Sequence, residues 1–256
     1  MTNSTGKADL HTHTFFSDGL MSPEALVEYA VTQTTLDVIA VTDHDTVVGA
    51  LIAAAYARTF STDFRPFEVI IGTEVTSADG DILALFVEKD IPAKMSAAET
   101  VAAIHEQGGL AIAAHPFAHA PILLRGDGMK GVGRLIADVP FDGVEIRNGT
   151  PTEFFSNRLT AMRNRRWSRR AETGGSDTHY MPTVGSTHTR FPGSTAAELR
   201  SAIESKQTAA GGHVYSPFLI VSLIHQLLNQ ELPVRHIPIE RNSRWMLSTS
   251  PAPIIK

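Results

Sequence analysis

Six short strand-like runs in this chain each lead directly into a histidine, a carboxylate or a polar amide. Ala8 to Leu10 precedes His11, and Asp37 to Val41 precedes Thr42, Asp43 and His44. Val69 to Ile71 leads into Gly72, Thr73 and Glu74, and Leu110 to Ala114 into His115. Gly143 to Ile146 leads into Arg147 and Asn148, and Arg170 to Gly175 into Ser176, Asp177 and His179. Helix-like segments lie between most of the runs, the pattern of βα units wound around a mostly parallel sheet. In a barrel of such units the C-terminal strand ends converge on one face, where active sites are built. The expected fold class is therefore α/β with a barrel architecture.

Local signals mark the helices. Ser22 caps a segment with Pro23 at its first position, and Ser96 with Glu99 three residues on has the capping-box spacing. Ser194 reads as a third cap, with Glu198 one place later than that spacing asks. The expected domain is a barrel over residues 1–213, followed over 214–256 by an apolar helix and tail that pack on the barrel or on a partner subunit. Gly126 to Gly133, GDGMKGVG, reads as a loop or lid over the strand ends.

Five of the strand ends deliver His11, His13 and Asp18; His44; Glu74; His115; and Asp177 with His179. Taken singly, TDHDT at Thr42 to Thr46 suits a helix N-cap, SDTH at Ser176 to His179 a polar turn, and His115 a hydrogen-bonded core histidine. Taken together, five histidines and three carboxylates exceed one tetrahedral site and suit two or more adjacent cations. Such ions clamp a phosphoryl group and lower the pKa of bound water to about 7. His105, His188, His213, His225 and His236 lie off the strand ends and read as exposed or structural.

Composition narrows the chemistry. The chain has no cysteine, so imidazole and carboxylate are its only strong metal ligands, and a disulfide framework is excluded. A net charge of −5 argues against a protein that coats nucleic acid, which leaves nucleic acid as a substrate only. No apolar run reaches the length of a membrane span and the N-terminus has no signal-peptide core, so a cytoplasmic location without membrane partners is expected.

DLHTHTFFSDG, VTDHDT, GTEVTS, AAHPF and GGSDTH, in that order, resemble the polymerase and histidinol phosphatase (PHP) family of metal-dependent phosphoesterases. The resemblance runs from Lys7 to about Phe191 and implies a distorted (β/α)7 barrel holding two or three Mn, Zn or Fe ions. It implies that His11, His13, Glu74 and Asp177 hold one metal and that Asp18, His44 and His179 hold a second. Glu74 would bridge toward a third ion at His115. The segment GDILALFVEK lacks the histidine that trinuclear relatives supply there, leaving Asp81 or His119 as substitutes, or the third site empty.

The activity expected is hydrolysis of a phosphate ester, a small phosphomonoester or nucleotide foremost, by a metal-bridging hydroxide. Arg125, Arg147, Arg190 and His119 are candidate phosphate contacts, Asn148 a substrate-orienting amide, and Asp43 a carboxylate behind a ligand histidine. An amidohydrolase-type enzyme, an exonuclease-type phosphodiesterase and a non-catalytic module are the competing readings. An amidohydrolase would be expected to carry a lysine at a late strand end, and none is present.

Overall fold

The computed structural model describes residues 5–60, 65–118, 130–216 and 218–219. All belong to one compact unit, Met1–Ile220, which a second unit, Val221–Lys256, follows. Of the segment 214–256, only residues 214–216 and 218–219 are therefore described, and His119, Arg125, His225 and His236 lie outside the described residues.

Among the described residues nine strands form a mixed sheet that is nearly closed into a barrel. They are β1 (Thr5–Asp9), β2 (Val38–Val41), β3 (Glu68–Thr76), β4 (Asp81–Leu85), β5 (Leu110–Ala113), β6 (Gly143–Asn148), β7 (Ala171–Gly175), β8 (Thr187–Pro192) and β9 (Ala209–Gly212). Their order is β7-β6-β5-β4-β3-β2-β1-β8-β9. β1 to β3 are parallel neighbours, as are β5 to β7, but β4 runs antiparallel to both of its own. The cause is a tight turn at Ser77 to Gly80: the Ser77 hydroxyl accepts from the amides of Asp79 and Gly80, leaving no room for a crossover helix.

β1 changes partners along its length. Thr5 to Ala8 pair with β8, whereas the residues beyond β1 meet those beyond β7 through a parallel bridge between Thr12 and Thr178. There the Asp177 amide donates to the His11 carbonyl and the His13 amide to the Thr178 carbonyl, both at 2.9 Å. The segments that carry the candidate site thus also close the barrel seam.

Among the described residues five helices cover the sheet: α1 (Pro23–Gln33), α2 (Val48–Phe60), α3 (Ala97–Glu106), α4 (Phe154–Arg163) and α5 (Ala196–Glu204). Ser22 caps α1, accepting from the Ala25 amide, and Ser96 with Glu99 completes the capping box of α3. On α5 the expected cap is displaced by one residue. Thr195, not Ser194, accepts from the Glu198 amide, and this restores the three-residue spacing.

Strand parity separates two buried layers. Ala8, Leu10, Val38, Ala40, Ile70, Leu83, Leu110 and Ile112 pack with one another inside the barrel. Ile39 and Val41 face the other way and pack with Leu26, Ala30, Ala50 and Ala53 of α1 and α2. By the same alternation Ile70, Gly72 and Glu74 share a face, which carries a carboxylate into the barrel mouth above an apolar floor. No described helix is long and apolar enough to cross a membrane.

Candidate metal centre

The strand ends bring all eight sequence-predicted residues together. Three donor groups lie within 4.8 Å internally: His13, Asp18, His44 and His179; His11, Glu74 and His115; and His11, His13 and Asp177. Glu74 joins them. Its Oε2 lies 2.9 Å from His11 Nε2 and 3.3 Å from His13 Nε2, while its Oε1 lies 3.0 Å from His115 Nε2. His44 Nδ1 is 3.5 Å from the same Oε2.

The grouping departs from the expected one at His13. Its Nε2 faces Glu74 and Asp177 while its Nδ1 is 3.7 Å from Asp18, so the ring spans two groups rather than serving one. Asp18 in turn lies 3.0 Å from His179 and 3.7 Å from His44. The floor is dry and the rim wet. The side chains of His11 and His13 are fully buried, whereas that of Asp18 is 56% exposed.

Burial disfavours charge on every floor residue, but mutual attraction overrides it. Against that burial, Asp177, Glu74 and Glu145 hold the His11 imidazole well above its ordinary range. Asp177 and Glu74 hold His13 up at about 9, and Glu74, with Asp177 and Asp81 behind it, holds His115 up at about 10. Glu74 and Asp177 are held well below the carboxylate range, most strongly by His11. Partial burial acts against ionisation of Asp18, yet His179, His13 and His44 pull it low.

These residues fit divalent cations on their own geometry. His13 Nε2 and His115 Nδ1 are buried without a hydrogen-bond partner, and every donor atom is one that a hard or borderline ion accepts. The backbone is also strained at two of these positions, with φ of +24° at His115 and +53° at Asp177. Such conformations persist where the surrounding structure forces them, commonly at functional sites.

Glu145 is a member that the sequence reading missed. It is buried, its Oε1 lies 3.1 Å from His11 Nδ1, and its Oε2 accepts from the His115 amide at 2.9 Å and from Asn148 Nδ2 at 3.1 Å. Its signal was the flanking pair Val144 and Ile146: both pack into the outer core, so the residue between them points into the barrel. Gly175 is required beside it, because a Cβ there would lie 2.4 Å from His11 Cβ and 2.8 Å from Glu145 Oε1.

Several expected contacts are corrected. Arg147 turns away from the centre and donates to the Gly212 carbonyl, because a register shift between Glu145 and Arg147 flips the strand's parity. Arg190 stands on an exposed position of β8, paired across the ladder with Lys7 and Ala209. Asn148 is committed within the protein: its amide nitrogen donates to Asp177 and Glu145, and its oxygen accepts from the Thr150 amide. The Asp43 carboxylate bonds to Thr14 and Ser17 rather than to a candidate histidine. It accepts from Thr14 N, Thr14 Oγ1 and Ser17 Oγ, and Gly49 leaves the space it needs. Asp81 is buried near Glu74 and His115 but gives one oxygen to the Lys130 amide, and burial pushes it up to about 6.

The PHP domain profile matches residues 9–152, and the PHP-associated profile matches residues 157–208. An uncharacterized protein of Methanocaldococcus jannaschii is 37% identical over 153 residues, covering 56% of this chain and 81% of that protein. The fold is similar to a two-domain protein of Bacteroides vulgatus said to contain a predicted PHP-like metal-dependent phosphoesterase, with a TM-score of 0.66 and 20% identity. The match covers 82% of this chain and 65% of that one, so this chain spans just under two thirds of that neighbour. PsfC of Pseudomonas syringae has a TM-score of 0.61 at 18% identity, with 88% of this chain and 99% of that chain covered. With the PHP profile matching more than half of the chain and the strand-end residues gathered in one centre, the chain belongs to the PHP domain family.

Proposed function

We propose that this protein is a metal-dependent phosphoesterase whose preferred substrate is a small phosphomonoester or a nucleotide. The observation that carries the reading is the double engagement of Glu74, one oxygen toward His11 and His13 and the other toward His115. That is the disposition of a carboxylate shared by two adjacent cations. His11, His13, Glu74 and Asp177 would hold one ion, Asp18, His44 and His179 a second, and His115 with Glu74 would offer a place for a third. Divalent ions bound there would supply a water of lowered pKa and polarise the phosphoryl oxygens.

The chain's own residues supply the preorganisation. Glu145 fixes the ring of His11 through Nδ1, which leaves Nε2 directed at Glu74. Asn148 holds Asp177 Oδ2 at 3.0 Å, so the other oxygen faces His13. Asp43 ties down Thr14 and Ser17, the loop that presents Asp18 at the rim. The exposed rim of Asp18, His44 and His179 is the side from which an ester enters, and the buried floor excludes bulk water from behind it.

The test is turnover by purified protein supplied with Mn, against p-nitrophenyl phosphate, bis-p-nitrophenyl phosphate, an amide and a lactone panel. Phosphate release from the monoester that a chelator abolishes is expected. Amide or lactone turnover without phosphate release overturns the proposal.

A further inference from the structure

Between Phe154 and Arg170 the chain carries six arginines and no acidic residue, although its overall charge is −5. The stretch comprises α4 and the π turn Asn164–Ser168 that follows it. It leaves Arg158, Arg165, Arg166 and Arg169 exposed. A groove of about 750 Å³ runs along it, lined by Arg147, Arg158, Arg165, Phe154, His213 and Tyr215 among others. Among the described residues Glu172 is the one carboxylate in its lining, and it meets Arg165 at 3.3 Å in a pair whose arginine is 73% exposed. Exposed pairs of this kind contribute little and are readily exchanged for another anion.

Aromatic surface accompanies the charge. Phe154 is 58% and Phe155 80% exposed, and the two rings meet edge to face at 5.4 Å. No core packing accounts for two neighbouring phenylalanines at the start of a helix in water. The groove lies across the β6–α4 turn from the metal centre, since Arg147 and Pro151 line it while Asn148 between them reaches Asp177.

We infer that this groove binds single-stranded nucleic acid, Arg147, Arg158 and Arg165 following the phosphate backbone and Phe154 offering a face to an unstacked base, with Phe155 exposed beside the lining. Guanidinium and aromatic groups along one cleft are the combination that binds single strands without reading sequence. A bilayer presents a flat face, which the concave placement of Arg147, Arg158 and Arg165 does not match. The chain beyond residue 220 offers four cationic residues, Arg235, Arg241, Arg244 and Lys256, against Glu231 and Glu240, so its charge is of the same sign as the groove. The inference concerns binding alone and stands apart from hydrolysis.

It is tested with the full chain in chelator, by fluorescence anisotropy of a labelled oligothymidylate of roughly 20 nucleotides, titrated over a range of salt. Saturable binding is expected that weakens with salt. Combining Arg158→Ala and Arg165→Ala should weaken it at least tenfold and flatten the logarithmic salt slope by about 1.4, since each phosphate contact on a single strand contributes about 0.7. Phe154→Ala should cost about fivefold or more while leaving the binding of inorganic polyphosphate unchanged. Circular dichroism melts check that each variant is folded. An unchanged affinity and slope in the arginine variant overturns the inference, as does a Phe154→Ala variant that binds like the parent. Capture by phosphatidylserine vesicles without binding of the oligonucleotide also overturns it and assigns the surface to membranes.

Discussion

Five imidazoles converge in the centre, with the carboxylates of Asp18, Glu74 and Asp177 within a few ångströms of them. Burial alone would keep His13 and His115 neutral, but Asp177 and Glu74 in the first case and Glu74 in the second hold them up at about 9 and about 10. His11, His13 and His115 are thus all shifted toward the protonated form, whereas a metal takes only the neutral ring. Uptake of Mn at pH 7 should expel protons from the liganding rings, that of His11 among them, and affinity should rise with pH until those rings have lost their protons. Calorimetry in buffers of different ionisation enthalpy reads the proton count, and uptake with no proton release would sink this account. Glu145 gives a second expectation. Because it orients His11 without reaching the rim, Glu145→Gln should lower metal affinity or turnover about 10- to 100-fold with little change in KM. Chelator competition and steady-state kinetics measure the two effects.

Among the elements, what could be read from sequence was whatever depends on local chemistry or on period. The strand ends bearing His11, His44, Glu74, His115 and Asp177 followed from short runs with a polar terminus, and these ends do meet. The caps at Ser22 and Ser96 followed from their spacing. What escaped depends on neighbours. The antiparallel course of β4 rests on a turn whose Asp79-Gly80 pair is a hairpin signal, and the strand-end pattern alone does not read it. Arg147 was misplaced because a bulge, invisible in a single sequence, inverts the strand's facing. Glu145 was overlooked because an isolated carboxylate in an apolar run normally points to water, whereas helices cover the outer face of this sheet. The shifted cap of α5 supplies a direct check. Thr195→Ala should cost about 1 kcal/mol, while Ser194→Ala, whose hydroxyl accepts nothing from the helix, should stay within roughly 0.5 kcal/mol. Urea midpoints at constant m-value separate the two, and equal losses would return the cap to Ser194.

At the scale of the whole molecule, the barrel is closed by the same residues that build the centre. Backbone hydrogen bonds join β1 and β7 beyond their ends, where amides of Asp177 and His13 cross to the carbonyls of His11 and Thr178. Asp9 reinforces the seam from below, accepting from the Ser176 and Gly185 amides at 2.8 Å each. One of the linked residues, Asp177, holds a backbone conformation that a non-glycine residue rarely adopts, as does His115 elsewhere in the centre. Bound cations would satisfy the converging donors, relieve the like-charge pressure between Glu74 and Asp177, and hold both sides of the seam at once. Chelation should therefore act unevenly. At about 100 times Kd, metal binding is worth about 2.7 kcal/mol, which for a domain of this size is a rise of roughly 5 to 11 °C in melting temperature. Hydrogen exchange should place that loss. On chelation the amides of His13, Asp177 and Thr178 should lose protection first, while the parallel ladder joining β2 to β3, which lies away from the seam, keeps its own. Uniform loss across both regions would mean that the ions stabilise the barrel globally instead of fastening the seam between its first and seventh strands.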